Sequence, residues 1–438
     1  MSVSRRTFSR TLAGAGINSM AGHSLAFADD DKEHESKHDR EDDSAFRHGV
    51  ASGDPLSNAV IIWTRITPEK RRDSVSVRWE VATDTRMKKT VRKGVASATS
   101  GRDFTVKVDV TGLDPGTTYY YQFRSNEDES PVGRTKTLPT RNVDRLRIGV
   151  ASCSNLPFGY FNSYRAMARR SDLDCVLHLG DYIYEYANGE YGDGTALGRI
   201  PAPNREILSL SDYRTRYAQY RTDQDLQELH RQHPMIIVWD DHEIANDSYN
   251  GGAENHNAGE GSFVDRRAAA VRAWNEWQPI RETPAEQSGR IFRTFNFGDL
   301  ADLVMLDTRN FDRDQQVGAN NPLIADPTRS LLGEEQEAWL YGQLTTSVQS
   351  GRRWRLLGQQ VMMGQLIASP TTIFNPDQWD GYLASRNRFL THLQTNTIKN
   401  VVVLTGDIHS SWGNDIAFNP FNGSTIPPPG RAACAWDL

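Results

Sequence analysis

Side chains that could bind metal ions or transfer protons follow four short apolar runs of the sequence. They are Cys153 after the first run, Asp181 and Tyr184 after the second, Asp240, Asp241 and His242 after the third, and Asp407 and His409 after the last. A single aspartate at such a position is usually a helix N-cap, and a single histidine is usually a hydrogen-bonded structural residue. Four matched positions together favour a metal site with acid–base chemistry.

The donor types indicate two kinds of metal site. Thiolate and phenolate are charged, polarisable donors that suit a ferric ion, so Cys153, Tyr184 and His409 predict an iron site. Carboxylate and amide oxygens suit Ca2+, Mg2+ or Mn2+, and the residues leave the choice among these three open. The predicted ligands of this hard cation are Asp240, Asp241, Asn246 and Asp407. An aspartate on a turn that leaves a strand can bridge two cations, which is the role predicted for Asp181.

A layered α/β sheet would bring these side chains together. The apolar runs predict strands at 146–152, 174–180, 235–239, 301–306, 353–359 and 399–405. Helical periodicity is found at 211–231, 262–279, 333–348 and 384–396. Strands this apolar are buried on both faces by helices, and ligands of such sheets bind beyond the carboxyl ends of the strands. Two long loops, 187–205 and 247–262, are expected to act as ligand arms or lids.

The region before residue 140 has the period-two pattern of β-strands. Apolar residues alternate with polar ones around Val77 and around Val108, and turn residues bound each run. The segment that ends at Tyr119 resembles the tyrosine corner of fibronectin type III-like domains, in which the hydroxyl binds the backbone upstream. We therefore expect a small fibronectin III- or immunoglobulin-like β-sandwich at 46–140, with a domain boundary in the polar segment that follows.

The charge is concentrated near the N-terminus. The chain has 438 residues and a net charge of −6, and residues 29–43 carry nine acidic and three basic side chains, which equals that net charge. The rest of the chain is nearly neutral, so the sequence gives no reason to expect the basic surface that nucleic-acid binding requires. Residues 29–45 are predicted to be a disordered acidic tether.

The first 28 residues have the features of an export signal. Arg5 and Arg6 form a twin-arginine pair, a weakly apolar stretch follows, and Ala26 to Ala28 fit a signal-peptidase site. A packed amphipathic helix is the alternative, but Asn18 and His23 interrupt the apolar stretch. The sequence predicts a signal peptide at 1–28 and a secreted or periplasmic protein that the twin-arginine translocase exports. The protein is expected to be a monomer.

Several motifs resemble known phosphoesterases. Gly180-Asp181-x-x-Tyr184 is similar to the metal motif of purple acid phosphatases and metallophosphoesterases. Seven segments in order resemble the alkaline phosphatase D (PhoD-like) family over about residues 46–416, namely Gly49–Pro55, Ala151–Ser154, Leu179–Glu185, Trp239–Glu243, Leu306–Arg309, Gly358–Met363 and Leu404–Trp412. The resemblance implies an α/β fold, called α+β in some schemes, with a metallophosphoesterase-like αββα catalytic domain at 146–438.

The same resemblance implies one Fe3+ and one or two Ca2+ ions. Cys153, Asp181, Tyr184 and His409 are similar to the iron ligands of the family. Asp241 stands where metallophosphoesterases have an asparagine, and Asp407 stands where they have a histidine, which favours calcium over a softer metal. By analogy, His242 would bind the phosphate or protonate the leaving oxygen. Arg309 is a candidate phosphate ligand, with an ordinary surface ion pair as the alternative.

The expected function is that of an exported, metal-dependent alkaline phosphatase. It would hydrolyse small phosphate monoesters, and diesters as well, with a metal-activated water. One alternative is a phosphodiesterase of the phospholipase D or teichoate-hydrolase type, acting on phospholipid or teichoic acid diesters. Another is a non-catalytic protein that binds a cell-wall component. Because family members continue well past the last motif, the C-terminus at residue 438 is expected to be truncated.

Overall fold

The computed structural model describes residues 44–70, 72–126, 128–282, 289–369, 372–418 and 430–434. The predicted signal peptide and nearly all of the predicted tether lie outside these residues. Among the described helices, none has both the length and the apolar character needed to cross a bilayer.

Eight described strands precede residue 140. They are β1 (Val50–Gly53), β2 (Ala59–Arg65), β3 (Ser74–Ala82), β4 (Thr90–Thr99), β5 (Thr105–Thr111), β6 (Thr118–Ser125), β7 (Asp128–Glu129) and β8 (Gly133–Lys136). Strands β3, β4, β6, β7 and β8 form an antiparallel sheet. Val77 and Phe123 of this sheet share a buried core with Ile62 and Val106 of β2 and β5. The backbone N–H of Asp114 donates to the Tyr119 hydroxyl at 2.9 Å, which confirms the hydrogen bond of the predicted tyrosine corner.

The rest of the described chain alternates strands with helices. Its strands are β9 (Ile148–Ala151), β10 (Cys175–His178), β11 (Pro234–Ile237), β12 (Arg293–Phe297), β13 (Ala301–Met305), β14 (Trp354–Gly358), β15 (Ile367–Ser369), β16 (Thr372–Ile373), β17 (Val401–Thr405), β18 (Gly413–Ile416) and β19 (Gly430–Cys434). Its α-helices are α1 (Asn162–Ala168), α2 (Leu210–Tyr220), α3 (Gln224–Gln232), α4 (Phe263–Trp277), α5 (Gly333–Gln349) and α6 (Leu383–Thr395). All six predicted strands of this region are confirmed.

One predicted helix is two helices in the structure. The pattern at 211–231 was expected to be continuous, but α2 ends at Tyr220 and α3 begins at Gln224. Asp223 separates them, because its carboxylate accepts hydrogen bonds from the backbone N–H groups of Asp225 and Leu226 at 3.0 and 3.1 Å. This is N-capping, which starts a new helix at that point.

Two sheets form the centre of the protein. The first has the order β5-β2-β1-β11-β10-β9 and the second the order β12-β13-β14-β17-β19-β18. Leu177 and Ile236 of the first sheet belong to the same buried cluster as Phe295 and Leu303 of the second, so the sheets pack on each other. Helices α1 to α4 contribute to this cluster, whereas α5 and α6 pack on the second sheet. The fold is therefore mixed α/β, as predicted.

The first sheet combines strands from both predicted domains. β1 runs parallel to β11, with Ser52 paired to Pro234 and Gly53 to Met235. A Cβ atom on Gly53 would lie 2.3 Å from the Pro279 carbonyl oxygen and 2.6 Å from that of Met235, so only glycine fits this contact. The sequence predicted a separate sandwich before residue 140, but β1, β2 and β5 extend the sheet of the region that follows.

Candidate metal centre

The predicted ligands follow the carboxyl ends of β9, β10, β11 and β17. Backbone hydrogen bonds join the first two of these loops: the N–H of Cys153 donates to the Gly180 carbonyl at 3.1 Å, and the N–H of Ser154 donates to that of Asp181 at 2.8 Å. The N–H of Asp407, after β17, donates to the Cys153 sulfur at 3.3 Å. Three strand-end loops therefore meet at one place.

Five acidic, thiol or imidazole residues of these and neighbouring loops have left-handed backbone conformations. The φ angles are 60° at Cys153, 54° at Asp181, 54° at Asp247, 68° at Asp407 and 55° at His409. Residues other than glycine rarely adopt positive φ, and such conformations cluster at functional sites, where the surrounding structure holds them. The backbone here aims side chains inward at a cost in conformational energy.

The four residues predicted to bind iron converge. Donor atoms of Cys153, Asp181 and His409 all lie within 4.8 Å of one another. The Tyr184 hydroxyl donates to Asp181 Oδ2 at 3.2 Å and lies 3.3 Å from His409 Nε2. His409 is exposed and the other three are buried, so this group faces solvent on the His409 side.

A second group consists of carboxylates. Asp240, Asp241 and Asp407 offer oxygens within 4.8 Å of one another, and so do Asp241, Asp247 and Asp377. Asp181 and Asp241 also meet in a group with His242, which connects the carboxylates to the thiol and phenol group. Asp240, Asp241 and Asp407, three of the four predicted hard-cation ligands, are thus adjacent.

Asn246 is the fourth predicted hard-cation ligand, whereas Asp247 and Asp377 were not predicted. The side-chain nitrogen of Asn246 donates to Glu254 at 3.0 Å, and its backbone N–H donates to Glu185 at 2.8 Å. Sequence reasoning missed Asp247, although it is the residue after Asn246, and its N–H donates to Asp241 at 2.6 Å. Asp377 was also missed; it follows the short strand β16, where no apolar run pointed to a site.

Arg309 lies among these carboxylates and is fully buried. Its guanidinium pairs with Asp240, with Asp377 at 2.6 Å and with Asp407 at 2.8 Å. Burial lowers the pKa of Arg309, but the surrounding carboxylates outweigh this effect and hold the pKa well above its usual value. The ion pairs are internal, not the surface contact considered as the alternative, and a contact with phosphate stays a prediction.

The negative charge of the centre calls for cations. Burial and neighbouring carboxylates raise the pKa of Asp181 and of Asp240 well above the usual range, although Arg309 opposes this at Asp240. Among the described residues, Asp240 Oδ2 is buried without a hydrogen-bond donor. Buried carboxylates are stable only when paired or coordinated. Hard oxygen donors beside thiol, phenol and imidazole fit metal ions of two kinds.

His242 is held by a glutamate that sequence reasoning missed. Its Nδ1 lies 2.7 Å from Glu185 Oε2, and both side chains are buried. Glu185 also accepts from the Asn255 side chain at 2.8 Å, which fixes the carboxylate. Burial lowers the pKa of His242, but Glu185, Asp181 and Asp241 reverse this and raise it well above the usual value. Glu185 ends the Leu179–Glu185 motif, so a signal for it was present.

Glu243 and Gly180 hold the loops after β10 and β11 together. The Glu243 carboxylate accepts from the backbone N–H groups of Asp181, Tyr182 and Asp240 at 3.0, 2.6 and 2.7 Å. Gly180 has a φ of 102°, and a Cβ atom there would lie 2.3 Å from both the nitrogen and the Cβ of Asp240. The ligand-bearing loops therefore touch through backbone.

Tyr191 joins the centre from the long loop at 187–205. Its hydroxyl lies 2.9 Å from His409 Nδ1, the nitrogen opposite the one near Tyr184. Its ring stacks on Tyr184 and His242, with centroids 5.8 and 5.9 Å apart. The predicted ligand arm thus reaches the site, where a partner on the second nitrogen orients a histidine ligand.

Comparisons with known proteins agree on one family. The family model described as "PhoD-like phosphatase" matches residues 148–429, and "PhoD-like phosphatase, N-terminal domain" matches residues 32–139. Alkaline phosphatase D of Bacillus subtilis (strain 168) is 41% identical over 388 residues, which is 85% of this chain and 65% of that protein. The chain therefore spans about two thirds of this relative's length. A solved structure titled "Structure of PhoD" has a TM-score of 0.84 and 38% identity, and the match covers 90% of this chain and 78% of that one.

Gly180→Ala should weaken metal binding at least tenfold while the protein stays folded, because the added methyl group separates the loops that carry Asp181 and Asp240. Metal titration with circular dichroism would measure this. Gly189→Ala is the control, since Gly189 also has a positive φ, 85°, but a Cβ there would have no neighbour within 4 Å. Equal losses in the two variants would show that the contact with Asp240 does not matter.

Tyr191→Phe should lower metal affinity about 10- to 100-fold, because His409 loses the hydroxyl that orients it. The ring stacking is kept, so the melting temperature should change little. Metal retained after dialysis against a chelator would be measured. Tyr341→Phe, which removes a hydroxyl bound to Glu337 on α5, is the control and should retain metal like the parent protein. Unchanged retention in Tyr191→Phe would contradict the orienting role.

Proposed function

Because the chain belongs to the PhoD-like phosphatase family, we propose that it hydrolyses phosphate esters at the metal centre described above. The proposed activity is that of an alkaline phosphatase acting on monoesters and diesters. The observation that carries the proposal is the convergence of a thiol, a phenol, imidazoles and several carboxylates at the carboxyl ends of strands in both sheets. Secretion through the twin-arginine pathway is part of the same proposal and rests on Arg5 and Arg6.

The arrangement of sheets and helices supports two proposed domain types. A metallophosphoesterase-like αββα catalytic region is supported by two packed sheets, with α1 to α4 in the buried cluster that both sheets share and α5 and α6 packed on the second sheet. A fibronectin III-like sandwich is supported by the tyrosine corner at Tyr119 and by the core that the two N-terminal β-layers share. If the N-terminal region is such a sandwich, one of its two layers, formed by β1, β2 and β5, also belongs to the first central sheet.

The donor sets support one Fe3+ and one or two Ca2+ ions. Iron would be held by the mixed group Cys153, Asp181, Tyr184 and His409. Calcium would be held by Asp240, Asp241 and Asp407, and a further calcium by Asp241, Asp247 and Asp377. Asn246 remains a candidate only through its side-chain oxygen, because its nitrogen donates to Glu254. When bound, such cations attract phosphoryl oxygens and supply a nucleophilic water.

His242 is the proposed proton donor to the leaving oxygen. Glu185 occupies Nδ1 and fixes the ring, and it is the first of the carboxylates that raise the pKa of the imidazole. Nε2 is then the nitrogen that can deliver a proton. Arg309 aligns the carboxylates of Asp240, Asp377 and Asp407, and a direct contact with phosphate would require one of these ion pairs to open.

Asp181→Ala should reduce hydrolysis of p-nitrophenyl phosphate to background, because this side chain lies in the iron-type group and also in the group with Asp241 and His242 that connects it to the carboxylates. The assay would be run with added Fe3+ and Ca2+ and repeated after Ca2+ removal, which should also abolish turnover. Bis-p-nitrophenyl phosphate would be measured in parallel to compare diesters. The control is Asp84→Ala, whose carboxylate caps an exposed turn before β4. Retained activity in Asp181→Ala would contradict the proposed function.

Glu185→Gln should lower kcat about 10- to 100-fold with little change in KM, because His242 loses the negative charge that orients the ring and raises its pKa. The loss should be larger for alkyl phosphates than for p-nitrophenyl phosphate, since a poor leaving group needs the proton more. Glu206→Gln, which removes a charge paired with Arg266 at 2.8 Å, is the control. A loss that does not depend on the leaving group would indicate a structural role only.

A further inference from the structure

An exposed apolar patch lies beside the metal centre. Phe158 is 60% exposed, Tyr160 56%, Leu197 39% and Ile200 40%. Single exposed apolar side chains are ordinary on protein surfaces. These four are instead grouped on two segments, 158–160 and 197–200, and grouped apolar exposure of this kind marks a binding surface. We call Phe158, Tyr160 and Leu197 the rim.

The rim is preformed by contacts between its two segments. A Cβ atom on Gly192 would lie 3.5 Å from the Phe158 ring, so the ring packs against the glycine backbone. The Tyr160 hydroxyl donates to the Leu197 carbonyl at 3.4 Å. Arg199 stacks on the Tyr160 ring at 5.2 Å while its charge is paired with Asp223 at 2.9 Å. The rim therefore presents apolar surface beside Arg199, whose charge is already paired with Asp223.

The rim is continuous with the metal centre through Tyr191. The Phe158 ring meets the Tyr191 ring edge-on, with centroids 5.6 Å apart. Tyr191 in turn reaches His409 through its hydroxyl and stacks on His242. One aromatic ring thus separates Phe158 from both the exposed candidate ligand and the proposed proton donor. The rim is therefore adjacent to the side of the centre where His409 is exposed.

We propose that the rim binds the organic part of the substrate alcohol, so that the centre prefers phosphate esters of aromatic or alkyl alcohols. This inference rests on the proposed function. Aromatic side chains favour such groups because they bury large apolar areas and stack on other rings. The position at the His409 side is the reason to assign a substrate group to the rim instead of a membrane or a partner protein.

The test uses ethylphosphonate and octylphosphonate, which cannot be hydrolysed and differ only in alkyl length. Calorimetry on the metal-loaded full chain should show at least about tenfold tighter binding of octylphosphonate, since each buried methylene adds to affinity. Phe158→Ala should reduce this preference about three- to tenfold. Trp354→Ala is the control, because Trp354 is 40% exposed at the start of β14, the opposite end of the sheet, and should keep the preference. Turnover of ethyl and octyl phosphate should follow the same pattern through KM.

The outcomes separate the two proposals. Length-dependent binding that Phe158→Ala reduces, without turnover of any ester, would support the rim and overturn the proposed function. Turnover without length dependence, or a preference that Phe158→Ala leaves intact, would overturn the rim and keep the function. Loss of binding to neutral phospholipid vesicles in Phe158→Ala, with no effect on alkylphosphonates, would assign the surface to membranes and also overturn the inference.

Discussion

The buried guanidinium of Arg309 connects the two sheets through carboxylates. Arg309 follows β13 of the second sheet, Asp240 follows β11 of the first, and Asp407 follows β17 of the second. Charges removed from water are costly unless they are paired, and the guanidinium groups of Arg309 and Arg313 do not balance all the carboxylates gathered here. The packing of the two sheets therefore creates a site whose remaining negative charge is best balanced by metal ions. Stability and metal binding depend on the same contacts.

The surrounding backbone is arranged to keep these charges in place. Positive φ angles at Cys153, Asp181 and Asp407 are unfavourable for residues with side chains, and they persist because the strands fix the loop ends. Glu243 accepts three backbone N–H groups from two loops, so one side chain holds both in register. Ligands held this firmly lose little conformational entropy when a metal or phosphate binds. Tyr191 fixes the ring of His409 in the same way, and Glu185 fixes that of His242.

Local sequence patterns predicted the elements and the positions of the candidate ligands after strand ends, because both follow from short-range rules. An apolar run of about five residues predicts a buried strand, and a ligand just after it lies at the carboxyl edge of the sheet whatever the order of the strands. Asp377 and Tyr191 come from loops with no periodicity, and their positions depend on tertiary contacts alone. The break at Asp223 had a local signal, the N-cap type, which the helical period obscured. The pairing of β1 with β11 joins residues 182 positions apart, such as Ser52 and Pro234, and alternation within a strand carries no information about such a partner.

The pairing of β1 with β11 gives the N-terminal region a structural role at the candidate metal centre. Without β1, the strand β11, which leads to Asp240, Asp241 and His242, would be at the edge of its sheet with unpaired backbone groups. Arg293 of β12 strengthens the junction, because its guanidinium binds Asp54 after β1 at 2.7 Å and the carbonyl of Ile237 at the end of β11 at 2.9 Å. The junction thus ends three residues before Asp240. The N-terminal strands therefore support the loop that carries these candidate ligands directly, and the structural unit around the candidate centre includes them.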